Sequence, residues 1–304
     1  MVVMRIRLPL TVGAVLLLVA VAACGSESEA TGADDGSATI VTALYPLAFV
    51  AERVGGEHVT VANLASPGVE PHDVELSPQQ VGEIADASLV LYLDGFAPAV
   101  GEAADQNASD RLFEVSTVVD LMPAVASDDH GDHGETDPHF WLDPTKVSEL
   151  AHGLAERLAE LDPDHAADFR ARADALEAEL GELDASYENS LASCESATLV
   201  TSHDAFGYLA ARYGLEQVGV AGLEPDAEPS AARIAEVQQI IRDNGTSTIF
   251  FESLGSSDIA DTIASDLGVA SASLSPLESQ PEDGDYLTAM LDNLEALQAG
   301  LRCS

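Results

Sequence analysis

From residue 39 onward, short apolar runs of strand length alternate with stretches of helical spacing. Thr39-Ile40-Val41-Thr42 leads into a helical stretch from Pro46 to Val54, closed by Gly55-Gly56, a pair suited to a helix C-terminus. A second apolar run, His58 to Leu64, follows. Ser77-Pro78-Gln79-Gln80 then offers a capping residue, proline at the first helical position and glutamine three after the cap, so a helix starts there. Leu89 to Leu93 is the next strand. Strand, helix and strand in this rhythm predict parallel sheet built from βαβ units.

The middle of the chain changes character. Thr145 to Leu161 and Asp164 to Leu191 place Leu, Ala and Phe at helical spacing among acids and arginines, with a break at Asp162-Pro163, and the second stretch reads as one long helix. Its alanine-rich face is short and has no sustained heptad, which argues against a coiled coil. Beyond Cys194 the alternation returns: strands are expected at Thr198–Thr201, Gln217–Val220, Thr248–Phe251 and Val269–Ser273, and helices at Phe206–Tyr213, Ala231–Asp243, Ser257–Leu267 and Asp285–Leu301. The expected fold is therefore α/β, with two Rossmann-like lobes, 39–161 and 194–304, joined by a single long rigid helix over 162–193.

The N-terminus addresses the compartment. Arg5 and Arg7 precede an almost wholly apolar stretch, Leu10 to Val21, and small residues then lead to Cys24, the layout of a bacterial export signal over 1–23. The stretch falls short of the roughly 20 residues a bilayer span needs, and Val21-Ala22-Ala23-Cys24 resembles a lipobox, making Cys24 the expected lipidated residue at the membrane surface. A cleaved signal with an incidental cysteine is the plain alternative. Residues 24–38, rich in Ser, Gly, Ala and acids, read as a flexible tether. Outside the cytoplasm Cys194 and Cys303 would be oxidised, so a disulfide between them is expected over two free thiols.

Charge excludes one class of partner. With 53 acidic against 12 basic residues, and Lys146 the only lysine, the field of the chain opposes binding to nucleic acid and attracts cations. Among the eight histidines, His72, His139 and His203 each sit in a loop that follows a strand or opens a helix. In open α/β sheets such loops line the crevice where ligands bind. Neutral imidazole is a borderline-soft donor suited to zinc, and three leave one tetrahedral position for another group. The spacing alone is not that of a zinc finger or of H-E-x-x-H, so scattered hydrogen-bonding histidines are the bland alternative, which His58, His152 and His165 fit. Asp128-Asp129-His130-Gly131-Asp132-His133-Gly134-Glu135 is a compact run of imidazoles and carboxylates, and His130 and His133 are auxiliary metal ligands unless the run is merely an acidic loop.

Three ordered strings carry a family resemblance: Glu70-Pro71-His72-Asp73-Val74-Glu75-Leu76-Ser77-Pro78, Asp137-Pro138-His139-Phe140-Trp141-Leu142-Asp143-Pro144 and Ser202-His203-Asp204-Ala205-Phe206-Gly207-Tyr208. With the lipobox, the His-rich acidic loop and Glu252 in Phe250-Phe251-Glu252, the chain from about Thr39 onward resembles the substrate-binding proteins of bacterial ABC importers for zinc and manganese. The resemblance implies two lobes bridged by a rigid helix with the metal between them, held by His72, His139 and His203. A histidine in third place implies the zinc branch, since oxygen donors favour manganese. Where the family commonly has an aspartate, Leu274-Ser275-Pro276-Leu277 puts Ser275, leaving the fourth position to water, Glu70 or Glu278.

The implied function is capture of Zn2+ by a monomeric, lipid-anchored extracytoplasmic receptor that delivers it to a membrane permease and catalyses nothing. Three rivals accompany it: a manganese receptor, a surface adhesin and a zinc hydrolase, for which Asp73, Asp204 or Glu252 would have to act as general base.

Overall fold

Ile40, Val41 and Leu89 to Leu91 are wholly buried because their strands lie inside a parallel sheet covered on both faces, which is why they read as continuous apolar runs. The computed structural model describes residues 37–65, 71–72, 74–124, 136–223, 225, 228–252 and 257–304. The expectations for the signal 1–23, for Cys24 and most of the tether, for His130 and His133, and for Glu70 and Asp73 lie outside the described residues.

The first sheet has strand order β2-β1-β3-β4, all parallel, formed by β1 (Ala38–Thr42), β2 (Val59–Asn63), β3 (Leu89–Tyr92) and β4 (Leu112–Glu114). Helices α1 (Tyr45–Gly55), α2 (Pro78–Asp86) and α3 (Pro98–Asn107) connect them. The Ser77 hydroxyl accepts from the Gln80 backbone N–H and the Gln80 side chain accepts from the Ser77 N–H, so the capping box expected there is complete.

Two antiparallel helices follow, α4 (Pro144–Leu161) and α5 (Ala166–Leu191). The boundary at Asp162-Pro163 is a short 3-10 turn, Pro163–His165. Helix α5 buries Phe169, Ala173, Leu176, Leu180, Leu183, Tyr187 and Leu191, a stripe at spacings of three and four that packs on α1, α4 and the last helix, α9 (Tyr286–Leu301). The second sheet repeats the first topology, with order β6-β5-β7-β8, from β5 (Thr198–Thr201), β6 (Glu216–Gly219), β7 (Thr248–Phe251) and β8 (Ala270–Ser273). Helices α6 (Gly207–Tyr213), α7 (Ala231–Asn244) and α8 (Ser257–Leu267) link these strands.

One apolar cluster runs from β1 and α1 through Trp141, α4 and α5 to α6 and α9, so side chains of both lobes share a core. Tyr187 donates to the Met290 carbonyl at 2.6 Å, fastening α5 to α9. Cys194 and Cys303 form a disulfide, as expected, closing a loop with sequence separation 109 and tying the end of α9 back to the end of α5. No helix among the described residues is long and apolar enough to cross a membrane.

Candidate metal centre

Each sheet reverses its strand order beside its first strand, β1 or β5, and these are the switch points where open α/β sheets bind ligands. His203 lies two residues past β5, and side chains fix the backbone of its loop: Thr201 Oγ1 and Gln217 Nε2 donate to the His203 carbonyl at 2.7 and 3.1 Å. His139 sits at the start of a 3-10 turn, Phe140–Leu142, whose side chains are buried. His72 lies in the loop between β2 and α2, its ring 4.2 Å, centroid to centroid, from that of Phe96.

These three loops converge. Ring centroids of His72 and His139 are 5.7 Å apart and those of His139 and His203 5.6 Å, and all three residues are buried. Between them lies Glu278, also buried, whose Oε1 is 3.1 Å from His139 Nε2, 3.5 Å from His72 Nε2 and 3.6 Å from His203 Nε2. One donor atom each from His72, His139 and Glu278 falls within 4.8 Å of the others. The three histidines expected from the sequence are brought together, and Glu278, one of the groups named for the fourth position, stands with them; Glu70 lies outside the described residues.

Ser275 does not. Its hydroxyl accepts from the Leu277 N–H at 3.2 Å, and Asn293 of α9 brackets its backbone, accepting from the Ser275 N–H at 2.8 Å and donating to its carbonyl at 2.7 Å. The serine therefore shapes a turn. Within that turn Leu277 takes a left-handed backbone, φ 61°, which costs a non-glycine residue about 1–2 kcal/mol. The turn delivers the next residue, Glu278, to the histidines, and Trp141 Nε1 donates to the Pro276 carbonyl at 2.7 Å to hold it against the second motif.

The Nδ1 atoms of His139 and His203 face carboxylates, the partners that fix a histidine's orientation in metal sites. His139 Nδ1 is 2.8 Å from Asp137 Oδ1, and His203 Nδ1 makes a short contact with Glu252 Oε1. Burial lowers the basicity of His139, but hydrogen bonds to Asp137 and Glu278 outweigh it and hold its pKa at about 9. Burial likewise opposes charge on His203, and Glu252 and Glu278 raise it to about 10. Burial pushes Glu278 upward, yet its contacts with His139, His203 and His72 keep it well below the usual carboxylate range.

Asp137 and Glu252 are functional neighbours whose role the sequence did not disclose, although both stand in the strings that carry the resemblance. Gly207 explains part of the third string: a Cβ there would sit 2.7 Å from Asp137 Oδ2, so any side chain would have to displace the Asp137 carboxylate. Tyr208 completes the join, donating to the Asp137 carbonyl at 3.1 Å and accepting from the Met122 N–H at 2.6 Å.

The remaining described histidines lie elsewhere. His58 stacks on His165 with centroids 3.9 Å apart, and half-exposed His152 faces Glu177 at 3.0 Å with Asp174 beside it on the outer surface of α4 and α5.

The geometry can be tested against a tetrahedral ion. Zinc bonds of about 2.0–2.1 Å to nitrogen and oxygen imply ligand-to-ligand edges of roughly 3.4 Å. The three edges that meet at Glu278, 3.1, 3.5 and 3.6 Å, bracket that value; His72, His139 and Glu278 offer donors all within 4.8 Å of one another, while His203 stands outside that set and must draw closer for one ion to be held by all four.

Known proteins point the same way. A family model described as zinc-uptake complex component A, periplasmic, matches residues 40–300. The zinc-binding lipoprotein AdcA of Streptococcus pneumoniae (strain ATCC BAA-255 / R6) is 34% identical over 292 residues, covering 91% of this chain and 57% of AdcA, so the chain spans little more than half the length of that relative. The solved laminin-binding protein of Streptococcus agalactiae, described as a bifunctional protein with adhesin and metal transporting activity, superposes with TM-score 0.79 at 32% identity, covering 87% of this chain and 100% of that one. The Zn(II)-bound E280Q variant of AdcAII of Streptococcus pneumoniae gives 0.78 at 31% identity, over 87% of this chain and 98% of that one.

Proposed function

The chain belongs to the family of periplasmic zinc-uptake component A proteins, and from that membership we propose that it captures Zn2+ outside the membrane and delivers it to the permease of an ABC importer. His72, His139 and His203 supply Nε2 donors and Glu278 supplies an oxygen. Cys24 carries the lipid that keeps the receptor at the cell surface, and docking proceeds one-to-one from a monomer.

One observation carries this reading: a single carboxylate oxygen within 3.1–3.6 Å of three buried imidazole nitrogens, separations that match the edges of a tetrahedral zinc site at that oxygen. Three nitrogens and one oxygen argue against manganese, which favours oxygen-rich sites. A zinc hydrolase needs an open coordination position for water, and Glu278 fills it. The adhesin reading draws on the Streptococcus agalactiae neighbour, in which adhesion is paired with metal transport, so it accompanies metal capture and does not replace it.

Calorimetric titration of the secreted domain with zinc tests the proposal. The expected result is one tight site, lost by more than about 100-fold in His139→Ala, His203→Ala and Glu278→Gln, a larger effect than loss of an outer-sphere partner. Unaltered affinity in His139→Ala and His203→Ala would refute the site.

A further inference from the structure

The register of the second sheet extends beyond its strands. Thr201 of β5 pairs with Phe250 of β7. Two residues further on each chain, with the same separation of 49 positions, His203 meets Glu252. Parallel neighbours thus carry an imidazole and a carboxylate to the same point beyond the sheet, and both are buried.

Glu252 does not reach the cage. Its Oε1 accepts the Ser202 hydroxyl at 2.9 Å and contacts Nδ1 of His203, the nitrogen facing away from Glu278. An ionised carboxylate only accepts hydrogen bonds, so Nδ1 must carry the proton. Neutral imidazole has one N–H, and fixing it on Nδ1 leaves the lone pair on Nε2, toward the cage.

We propose that Glu252 is a positioning residue: held by Ser202, it commits the His203 ring to the tautomer and orientation that present Nε2 to the ion. Asp137 bears the same relation to His139 from the other lobe, with Nδ1 at 2.8 Å from Oδ1, so each lobe aims one imidazole by a carboxylate behind it. The difference lies in how each is built. Asp137 is two residues from its histidine, whereas Glu252 reaches His203 only through correct strand pairing, so the aim of His203 reports on the integrity of the second sheet.

The inference rests on the zinc-receptor reading, and the experiment separates the two. Zinc affinity is measured for the unsubstituted protein, Glu252→Ala and Glu252→Gln, together with nitrogen-15 and proton NMR of the zinc-loaded histidine side chains. Glu252→Ala is expected to lose about 10–100-fold in affinity, the usual cost of an outer partner, and to lose the strongly deshielded Nδ1–H resonance of His203. Glu252→Gln keeps an acceptor in the same place, so it should retain that resonance, shifted upfield, and recover part of the affinity. Zinc-free thermal unfolding of both variants tells a folding defect from an aiming defect. Affinity within about two-fold of the parent in Glu252→Ala, or equal losses in both variants with the Nδ1–H resonance intact, overturns the inference alone. Failure of the parent itself to bind zinc overturns the receptor reading and this inference together.

Discussion

His139 and His203 each place an imidazole between two carboxylates, and the arrangement favours a proton on both ring nitrogens when zinc is absent. Their pKa values of about 9 and 10 exceed the ordinary histidine value, so at neutral pH zinc must displace protons to bind. Calorimetry at pH 7.5 in buffers of differing ionisation enthalpy should report release of up to about two protons per zinc, and affinity should fall as pH falls. A binding enthalpy independent of buffer would contradict this. For the zinc-free fold the sign follows from the same shifts: the stabilisation is fully present below about 6.5, the unfolded value, and is lost as pH rises through about 9 and then 10. Denaturant melts of the zinc-free protein at pH 6.5 and 10 check it. At this scale the three candidate histidines were legible because the strings around them carry the family resemblance, whereas their spacing alone pointed to no metal site. The fourth candidate donor was legible only as an alternative, since the turn that delivers Glu278 depends on Asn293, distant in sequence, bracketing Ser275. Glu252 was visible as a letter but not as a partner, because its contact arises from strand register.

Helix α5 shows how an element is held by one face. Leu180 is buried in the shared core, so Leu180→Ala should destabilise by about 2–5 kcal/mol, the usual cost of a core cavity. Gly181, the next residue, is exposed, and a Cβ there meets nothing within 4 Å, so Gly181→Ala should stabilise by roughly 1 kcal/mol through helix propensity. Chemical denaturation of the two variants gives opposite shifts if the burial pattern is right. Most elements were readable within a residue or two of their ends because strong periodicity or a capping motif announced them. Helix α3 and strand β4 were missed for a physical reason: α3 buries only Val100 and Ala104, and β4 is three residues long, so neither leaves an apolar period to detect.

For the molecule as a whole, the shared core restrains the lobes, since one apolar cluster and an unbroken α5 connect the two sheets. Small-angle scattering with and without zinc should give nearly the same radius of gyration, and a large contraction would show a hinge. The disulfide acts at the same scale, closing a loop of about one hundred residues, for which chain entropy estimates roughly 4–5 kcal/mol. Cys303→Ser should lower the unfolding free energy by up to that amount in denaturant titration. The two-lobed plan was legible because its strands and helices alternate; the cluster shared across the lobes, which lies beside a separate core of the second sheet around Val200, Val237 and Ile249, was not, because it requires α5 and α9 to meet across some hundred residues. With a formal net charge of −41, the surface attracts every divalent cation indiscriminately. The donor cage imposes the opposite policy. Calcium and magnesium demand six or more ligands, mostly oxygens, and among the candidate donors they would find one carboxylate beside three imidazoles. On the zinc-receptor reading, abundant hard ions crowd the exterior as an atmosphere while the interior is suited to a softer one, so that the protein would concentrate broadly at its skin but admit narrowly at its centre.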